Sequence, residues 1–438
     1  MKKFSIITFG CQMNKHDSEK IAGILQDSGF QYEKDLSNAD IIIFNTCTVR
    51  ESADGRLFGQ LGNIKRLKEE KPDLIVAIGG CLAQSYGGKL LFQFPQLDIV
   101  FGTHNINRFS YLLNERIKSG NKVFELKSED NYDVSCLPTL REKPFLAWVS
   151  IMRGCNNFCS YCIVPYVRGK QWSRSAYEII EEVKNLTLDG VIEITLLGQN
   201  VNSYGKDLND EMNFPQLLEK LSQISKLKRI RFITSHPKDF DNETVKVVAE
   251  SEILCNHFHF PLQSGSNKVL QDMNRRYTKE QYLKLIDEIY RMIPDASITT
   301  DIIVGFPTET EEDFLETLDV VEKAKFDSAF TFIYSPRSGT KAIGFKDISS
   351  NEEKMNRFSR LVDKQTNISQ MKNNYLIGKN LDILVEDFSK KDKKMLMGRT
   401  KTNKIVNFKG DSNLIGKIVN VKIILAKAHY LIGELKIN

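Results

Sequence analysis

The chain has 438 residues, about three times the rough 150-residue size of one domain, so two or three separate cores are expected. Hydrophobic residues make up 41% and charged residues 27%, which excludes a disordered or low-complexity chain. The net charge of +5 is unevenly placed: residues 374–438 hold 13 Lys and Arg against 6 Asp and Glu, and the first 373 residues hold 48 against 50.

At the N-terminus, Met1-Lys-Lys-Phe-Ser-Ile-Ile-Thr8 lacks the apolar core of a signal peptide, and no uncharged apolar run of about 18 residues follows. A cytoplasmic protein without membrane contact is expected. There, the eight cysteines are expected to bind metal or do chemistry rather than form disulfides.

Residues 1–117 alternate apolar strands with helical stretches; the strands are expected at 4–9, 40–44, 73–78 and 98–101. Near-continuous apolar strands of this kind predict a Rossmann-like parallel α/β sheet covered on both faces. Ligands bind such sheets beyond the carboxyl ends of the strands. Cys11, Cys47 and Cys81 follow three successive strands at spacings of 36 and 34 residues, one strand-helix unit each. They are expected to converge on one point, where three thiolates hold three irons of a [4Fe-4S] cluster and leave the fourth open. The bland alternative is three buried core cysteines. Residues 118–140 show no sustained period and read as a connector; Cys136 lies there and is not taken as a ligand.

Residues 141–371 predict six strands joined by helical crossovers, at 146–151, 191–197, 230–234, 257–260, 299–304 and 329–334. Six parallel strands with crossovers suit a partial (βα)6 barrel with its chemistry at the C-terminal mouth. Directly after the first of them comes Cys155-Asn-Asn-Phe-Cys159-Ser-Tyr161-Cys162, a C-x3-C-x2-C triplet. Three thiolates on one loop again suit a [4Fe-4S] cluster with an open iron. A structural zinc would call for paired knuckles and a fourth ligand at finger-like spacing, which does not follow. Cys255 lies in an apolar strand approach and is not taken as a ligand.

Residues 374–438 switch to five short β-runs separated by Lys, Gly, Asn and Ser turns. A small OB-like β-barrel is expected, and its basic excess suggests a nucleic-acid partner, with a solvated lysine surface as the alternative.

With its aromatic at Tyr161, the Cys155–Cys162 triplet resembles the signature of the radical S-adenosylmethionine (SAM) superfamily. Over essentially its full length the chain resembles the methylthiotransferases, which join an N-terminal three-cysteine domain, a radical SAM barrel and a C-terminal TRAM domain. Thr8-Phe9-Gly10-Cys11-Gln12-Met13-Asn14 looks like the branch acting on tRNA, supported by Ser235-His236-Pro237, Pro261-Leu-Gln-Ser-Gly-Ser266 and Tyr334-Ser-Pro-Arg337-Ser-Gly-Thr340. The resemblance implies an enzyme that adds a methylthio group to carbon 2 of N6-dimethylallyladenosine at tRNA position 37. It implies two [4Fe-4S] clusters and two uses of SAM, one as radical source and one as methyl donor. Cys155, Cys159 and Cys162 would ligate the radical cluster; Cys11, Cys47 and Cys81 would ligate the auxiliary cluster that holds or donates sulfur. The same chemistry on threonylcarbamoyladenosine or on a ribosomal-protein aspartate is the nearest alternative; an iron-sulfur RNA-binding sensor without catalysis is the second.

An external electron donor, a sulfur source and a monomeric state are also expected. Candidate SAM contacts are Tyr161, in the aromatic slot of the triplet, and Gln199, Ser235 and Asp301 at strand ends. The superfamily's acidic Gly-Gly-Glu is replaced here by Leu197-Gly198-Gln199. His236, His257 and His259 read as structural histidines rather than metal ligands. In the TRAM-like segment, Lys390, Lys391, Lys393, Lys394, Lys401 and Lys404 are the candidates for neutralising RNA phosphates.

Overall fold

The computed structural model describes residues 1–48, 51–126, 137–209 and 212–436, so Cys136 lies outside the described residues. The chain divides into two compact units. One comprises residues 1–142, 153–156 and 162–172; the other comprises 143–152, 157–161 and 173–438.

The first unit is a six-stranded parallel sheet: β1 (Lys3–Thr8), β2 (Gln31–Tyr32), β3 (Ile41–Thr46), β4 (Ile75–Gly80), β5 (Ile99–Phe101) and β6 (Val123–Glu125), in the order β2-β1-β3-β4-β5-β6. Alternate residues serve opposite faces, as strand geometry dictates. Ile41 and Ile43 join a core with Phe4, Ile21, Leu25, Phe101 and Phe109, while Ile42 and Phe44 join another with Leu57, Leu61, Val76 and Ile78. Both faces are therefore covered. Two strands go beyond the four expected: β2 is only two residues long, and β6 lies in the stretch read as a connector. Both are too short to carry a recognisable period.

In the second unit, β7 (Leu146–Ser150) starts a parallel series. The two-residue strands β8 (Met152–Arg153) and β9 (Trp172–Ser173) lie on either side of the cysteine triplet in the chain. The series continues with β10 (Glu193–Leu197), β11 (Arg229–Phe232), β12 (His257–His259), β13 (Ser297–Val304) and β14 (Ser328–Ile333). Two three-stranded sheets form, β11-β10-β7 and β12-β13-β14. A parallel bridge between Ile230 and Leu254, and a hydrogen bond from Ser235 N to His259 O at 3.4 Å, link them into an open barrel. Helices wrap the outside; those at Asn213, Thr278 and Thr310 begin with capping boxes that satisfy their first free N–H groups. The continuous core runs from Val149 and Ile194 through Phe232, Phe258 and Phe260 to Ile298 and Val304.

A helix over Asn351–Asn374 leads into a closed five-stranded barrel: β15 (Asn380–Phe388), β16 (Leu396–Arg399), β17 (Ile405–Phe408), β18 (Ile418–Ala426) and β19 (Leu431–Leu435), in the order β15-β16-β17-β19-β18. Two buried arginines of β11 dock it. Arg229 donates to the carbonyls of Arg399 (2.7 Å) and Asp382 (2.8 Å); Arg231 donates to those of Thr400 (2.7 Å) and Lys401 (3.0 Å).

Candidate metal centres

The N-terminal cysteines stand where the strand reading places them. Cys47 follows β3 and Cys81 follows β4; the pairing of Thr46 with Gly80 puts the two cysteines one residue past matched positions. Cys11 caps the helix Gln12–Asp27 after β1, the other neighbour of β3. Cys47 and Cys81 are buried and Cys11 is exposed. Gly10 makes the approach possible: its φ is +112°, and a Cβ there would lie 2.4 Å from Cys47 Cβ.

A buried amide network fixes these strand ends. Asn14 Nδ2 donates to Thr46 O (2.8 Å), and Asn45 Nδ2 donates to Asn14 O (2.8 Å) and Ser18 Oγ (2.9 Å). Cys11 Sγ lies 3.3 Å from Asn14 Oδ1, one helical turn along. Neither asparagine was singled out from sequence; the three-residue spacing of Cys11 and Asn14 at a helix start was the available signal.

Arg168 also belongs to this unit. Its Nη2 donates to Asp17 Oδ2 at 3.0 Å, with both side chains buried, and its guanidinium hydrogen-bonds Cys81. Burial pushes the Cys81 thiol up; Arg168 opposes that by favouring thiolate. Ile163 and Val167, from the segment just after Cys162, pack against Cys81.

The second triplet sits on a loop anchored almost residue by residue. Within the first unit, Cys155 N donates to Gly169 O (3.2 Å), and a Cβ on Gly154, whose φ is +70°, would strike Lys170 O. Within the second, Lys238 Nζ donates to Asn157 Oδ1 (3.0 Å), Asn274 Nδ2 to Phe158 O (2.9 Å), and Ser160 Oγ to Asp272 O (2.8 Å). Phe158 adopts φ +47°, which this anchoring must hold in place. Cys159 is buried, and Arg275 Nη1 lies 3.4 Å from its sulfur. Tyr161 packs against the cluster of Val269, Met273, Phe306 and Ala342.

The barrel mouth carries the other candidates. Asn200 and Asn202, just after Gln199, accept from His236 N (2.9 and 3.0 Å), tying the turn after β10 to the turn holding Ser235. Asp301 lies along β13, with Oδ2 3.4 Å from His259 Nε2. Thr234 and Gln263, at the mouth-side ends of their segments, have φ of +71° and +69°. Gln199 Oε1, Ser235 Oγ, Gln263 Oε1 and His236 Nε2 are buried with no hydrogen-bond partner among the described residues. Orphaned polar atoms of this kind are costly unless a ligand satisfies them, so the mouth fits a polar cosubstrate such as SAM.

The histidines are held by protein. Burial, then Arg275 and Lys238, push His236 down to about 2, so its ring is neutral, with Nδ1 accepting from Lys238 N. Burial, then Arg231, push His257 down to about 3, and both His257 and His259 bond Thr299 Oγ1 at 3.0 Å. Among the described residues no group of three or more His, Cys, Asp or Glu side chains is placed to hold a metal ion, the cysteine triplets included. Two cysteine triplets, with no fourth protein ligand beside them among the described residues, suit a cluster with one open iron.

The lysine candidates separate into two groups. Lys390, Lys391, Lys393 and Lys394 are exposed, with Lys391 over the Tyr430 ring at 6.0 Å. Lys401 and Lys404 also have partners within the protein: Lys401 Nζ donates to Glu252 O at an exposed position, and Lys404 Nζ pairs with Asp327 (2.6 Å) and bonds Asn373 Oδ1 (2.8 Å). The Lys404 ammonium is mostly buried and ties the small barrel to Asp327. Cys255 is fully buried beside Arg231 and Arg229.

Three family models match: the radical SAM superfamily over residues 149–321, uncharacterized protein family UPF0004 over 3–102, and the TRAM domain over 375–436. A tRNA-2-methylthio-N(6)-dimethylallyladenosine synthase of Natranaerobius thermophilus is 50% identical over 436 residues, 99% of this chain and 97% of the relative. The protein of the same name from Caldicellulosiruptor saccharolyticus is 51% identical over 435 residues, 99% of this chain and 92% of the relative. Among solved structures, the radical SAM methyltransferase TsrM of Kitasatospora setae, with cobalamin and a [4Fe-4S] cluster bound, superposes with a TM-score of 0.55. It is 14% identical and covers 78% of this chain and 77% of its own, a likeness of fold alone.

Proposed function

The chain belongs to the tRNA-2-methylthio-N(6)-dimethylallyladenosine synthases of the radical SAM superfamily, and from that premise we propose that it adds a methylthio group to carbon 2 of N6-dimethylallyladenosine at tRNA position 37. The observation that carries the reading is the pair of cysteine triplets: one on a loop anchored at the barrel mouth, the other at three adjacent parallel strand ends. Carbon 2 of an adenine is neither acidic nor electrophilic enough for ordinary substitution. Two [4Fe-4S] clusters and SAM, when bound, supply the electron, the radical, the sulfur and the methyl group that such a carbon requires.

The chain's own residues bind, orient and shield. Cys155, Cys159 and Cys162 hold the radical cluster, and Cys11, Cys47 and Cys81 the auxiliary one. Gln199, Ser235, Gln263 and the neutral His236 offer SAM the hydrogen bonds they lack within the protein. Tyr161, on the cysteine loop and packed against Val269, Met273, Phe306 and Ala342, and Asp301, beside His259, are the further side chains assigned to SAM contact. Asn14 and Asn45 keep the N-terminal strand ends at fixed spacing. The exposed lysines of the TRAM barrel neutralise tRNA phosphates. No helix among the described residues is long and apolar enough to cross a membrane; we place the reaction in the cytoplasm, on a monomer served by an external electron donor and a sulfur source.

Mass spectrometry of tRNA nucleosides from a deletion strain, with and without this chain, tests the substrate. Restoration of the 2-methylthio nucleoside is expected; loss and rescue of a different nucleoside, or of none, rejects it. Anaerobic reconstitution is expected to give about eight irons. A count near four removes the auxiliary cluster. Replacing Cys155, Cys159 and Cys162 by Ala is expected to abolish 5′-deoxyadenosine formation.

A further inference from the structure

Six arginines of the described chain are buried: Arg168, Arg174, Arg229, Arg231, Arg275 and Arg357. Five have a carboxylate within ion-pair distance, namely Asp17, Glu182, Glu193 for both Arg229 and Arg231, and Glu309. Arg275 is the exception. No carboxylate among the described residues pairs with it, and the groups that most favour its charge are Tyr277, Tyr161 and Cys159.

Its guanidinium is nevertheless held firmly. Nη2 donates to Pro261 O (2.8 Å), Nε lies 3.1 Å from Tyr277 OH, and Nη1 faces Cys159 Sγ at 3.4 Å. Tyr277 is itself fixed by Leu262 O at 2.8 Å. A buried cation, hydrogen-bonded through each of its three nitrogens but with no counter-charge, is an expensive arrangement, and it is sustained where an anion completes it. Among the described residues the acidic groups beside it are Tyr277, Tyr161 and Cys159, and of these only Cys159 is read as a cluster ligand, which is a thiolate when it binds iron.

We propose that Arg275 is the counter-charge of the iron-sulfur cluster ligated through Cys159, and a positioning residue that sets how readily this cluster accepts an electron. The proposal rests on reading Cys159 as a cluster ligand. A [4Fe-4S]2+ core with three thiolates bears a net charge of −1. One electron from an external low-potential donor takes the core to [4Fe-4S]+ and the site to −2. A fixed cation at Cys159 stabilises the second state more than the first, and N–H···S bonds act in the same direction. Removing Arg275 therefore makes reduction harder.

The experiment uses the full chain with Cys11, Cys47 and Cys81 changed to Ala, so that only the barrel cluster remains. Iron and sulfide analysis comes first: absence of a cluster of about four irons in this parent rejects the ligand reading itself. Spectroelectrochemical titration with Arg275→Gln then tests the proposal. The reduced-to-oxidised ratio at fixed potential is expected to fall at least about tenfold, equal to about 59 mV for one electron, and Arg275→Lys is expected to stay nearer the parent. An unchanged potential in a fully loaded Arg275→Gln protein overturns the proposal. So does a change confined to SAM affinity, or a Lys variant that falls as far as Gln. Should Arg275→Gln fail to retain iron, the apo-proteins decide. Losing an uncompensated buried cation is expected to raise the Tm of the apo-protein above the parent's, and a lower Tm overturns the proposal.

Discussion

Arg168 and Asp17, 151 positions apart in the chain, form a buried ion pair at 3.0 Å beside Cys81. Taking away only Asp17 strands a charge that burial has already desolvated. Asp17→Asn is expected to cost about 3 kcal/mol in the apo-protein, read from urea unfolding, whereas Asp17→Asn combined with Arg168→Met recovers most of that loss. A double variant as unstable as the single one shows that shape, rather than charge, decides the site.

The two cysteine triplets were legible because each obeys a rule visible in one dimension. One is a contiguous motif, and the other is a residue type recurring just after near-continuous apolar strands, one strand-helix unit apart. Arg168 and Arg275 follow no such rule. A buried arginine and a solvated one are the same letter, and their partners Asp17 and Cys159 lie more than a hundred residues away. The pairing of Lys404 with Asp327 was hidden for the same reason: inside a basic, turn-rich segment nothing marks a lysine as the partner of a distant aspartate. The strands Gln31–Tyr32 and Val123–Glu125 escaped because two or three residues cannot show a period of two.

Asp327 joins three parts of the second unit, accepting from Lys372 Nζ (2.5 Å), Lys404 Nζ (2.6 Å) and Ile298 N (3.0 Å). Burial alone would raise its pKa; Lys404 and Lys372 together hold it below the usual 3.8. A carboxyl with a depressed folded pKa contributes stability that is present above the unfolded value and lost as pH falls through the folded one. The stability gap between wild type and Asp327→Asn, about 3 kcal/mol by analogy with other buried pairs, is expected to hold steady from neutral pH and to close below about pH 4. A gap that widens on acidification contradicts the assignment.

RNA binding separates the lysines experimentally. Changing Lys390, Lys391, Lys393 and Lys394 to Gln is expected to weaken tRNA binding and flatten the plot of log K against log salt by up to about 3, at roughly 0.7–0.9 per phosphate contact. Lys404→Gln is expected to lower Tm with little effect on that slope. Equal slopes for the quadruple variant and wild type place the tRNA elsewhere.

Gly10 and Gly59 make a matched pair for testing the N-terminal centre. Both lack a side chain, but Gly10 sits at φ +112° with Cys47 filling the place of its Cβ, whereas Gly59 lies in the helix Glu51–Glu70 with open space around it. Gly59→Ala is expected to be neutral or stabilising by up to about 1 kcal/mol, because Ala is the better helix former. Gly10→Ala must either strain the turn or push Cys47 away from its position between Cys11 and Cys81, at a cost of about 1–3 kcal/mol. The local damage should show in iron content. A fall from about eight irons to about four is expected, with 5′-deoxyadenosine still formed on reduction and the methylthio product lost. Loss of 5′-deoxyadenosine in the same protein means that the effect of Gly10 is not confined to the strand ends that carry Cys11, Cys47 and Cys81.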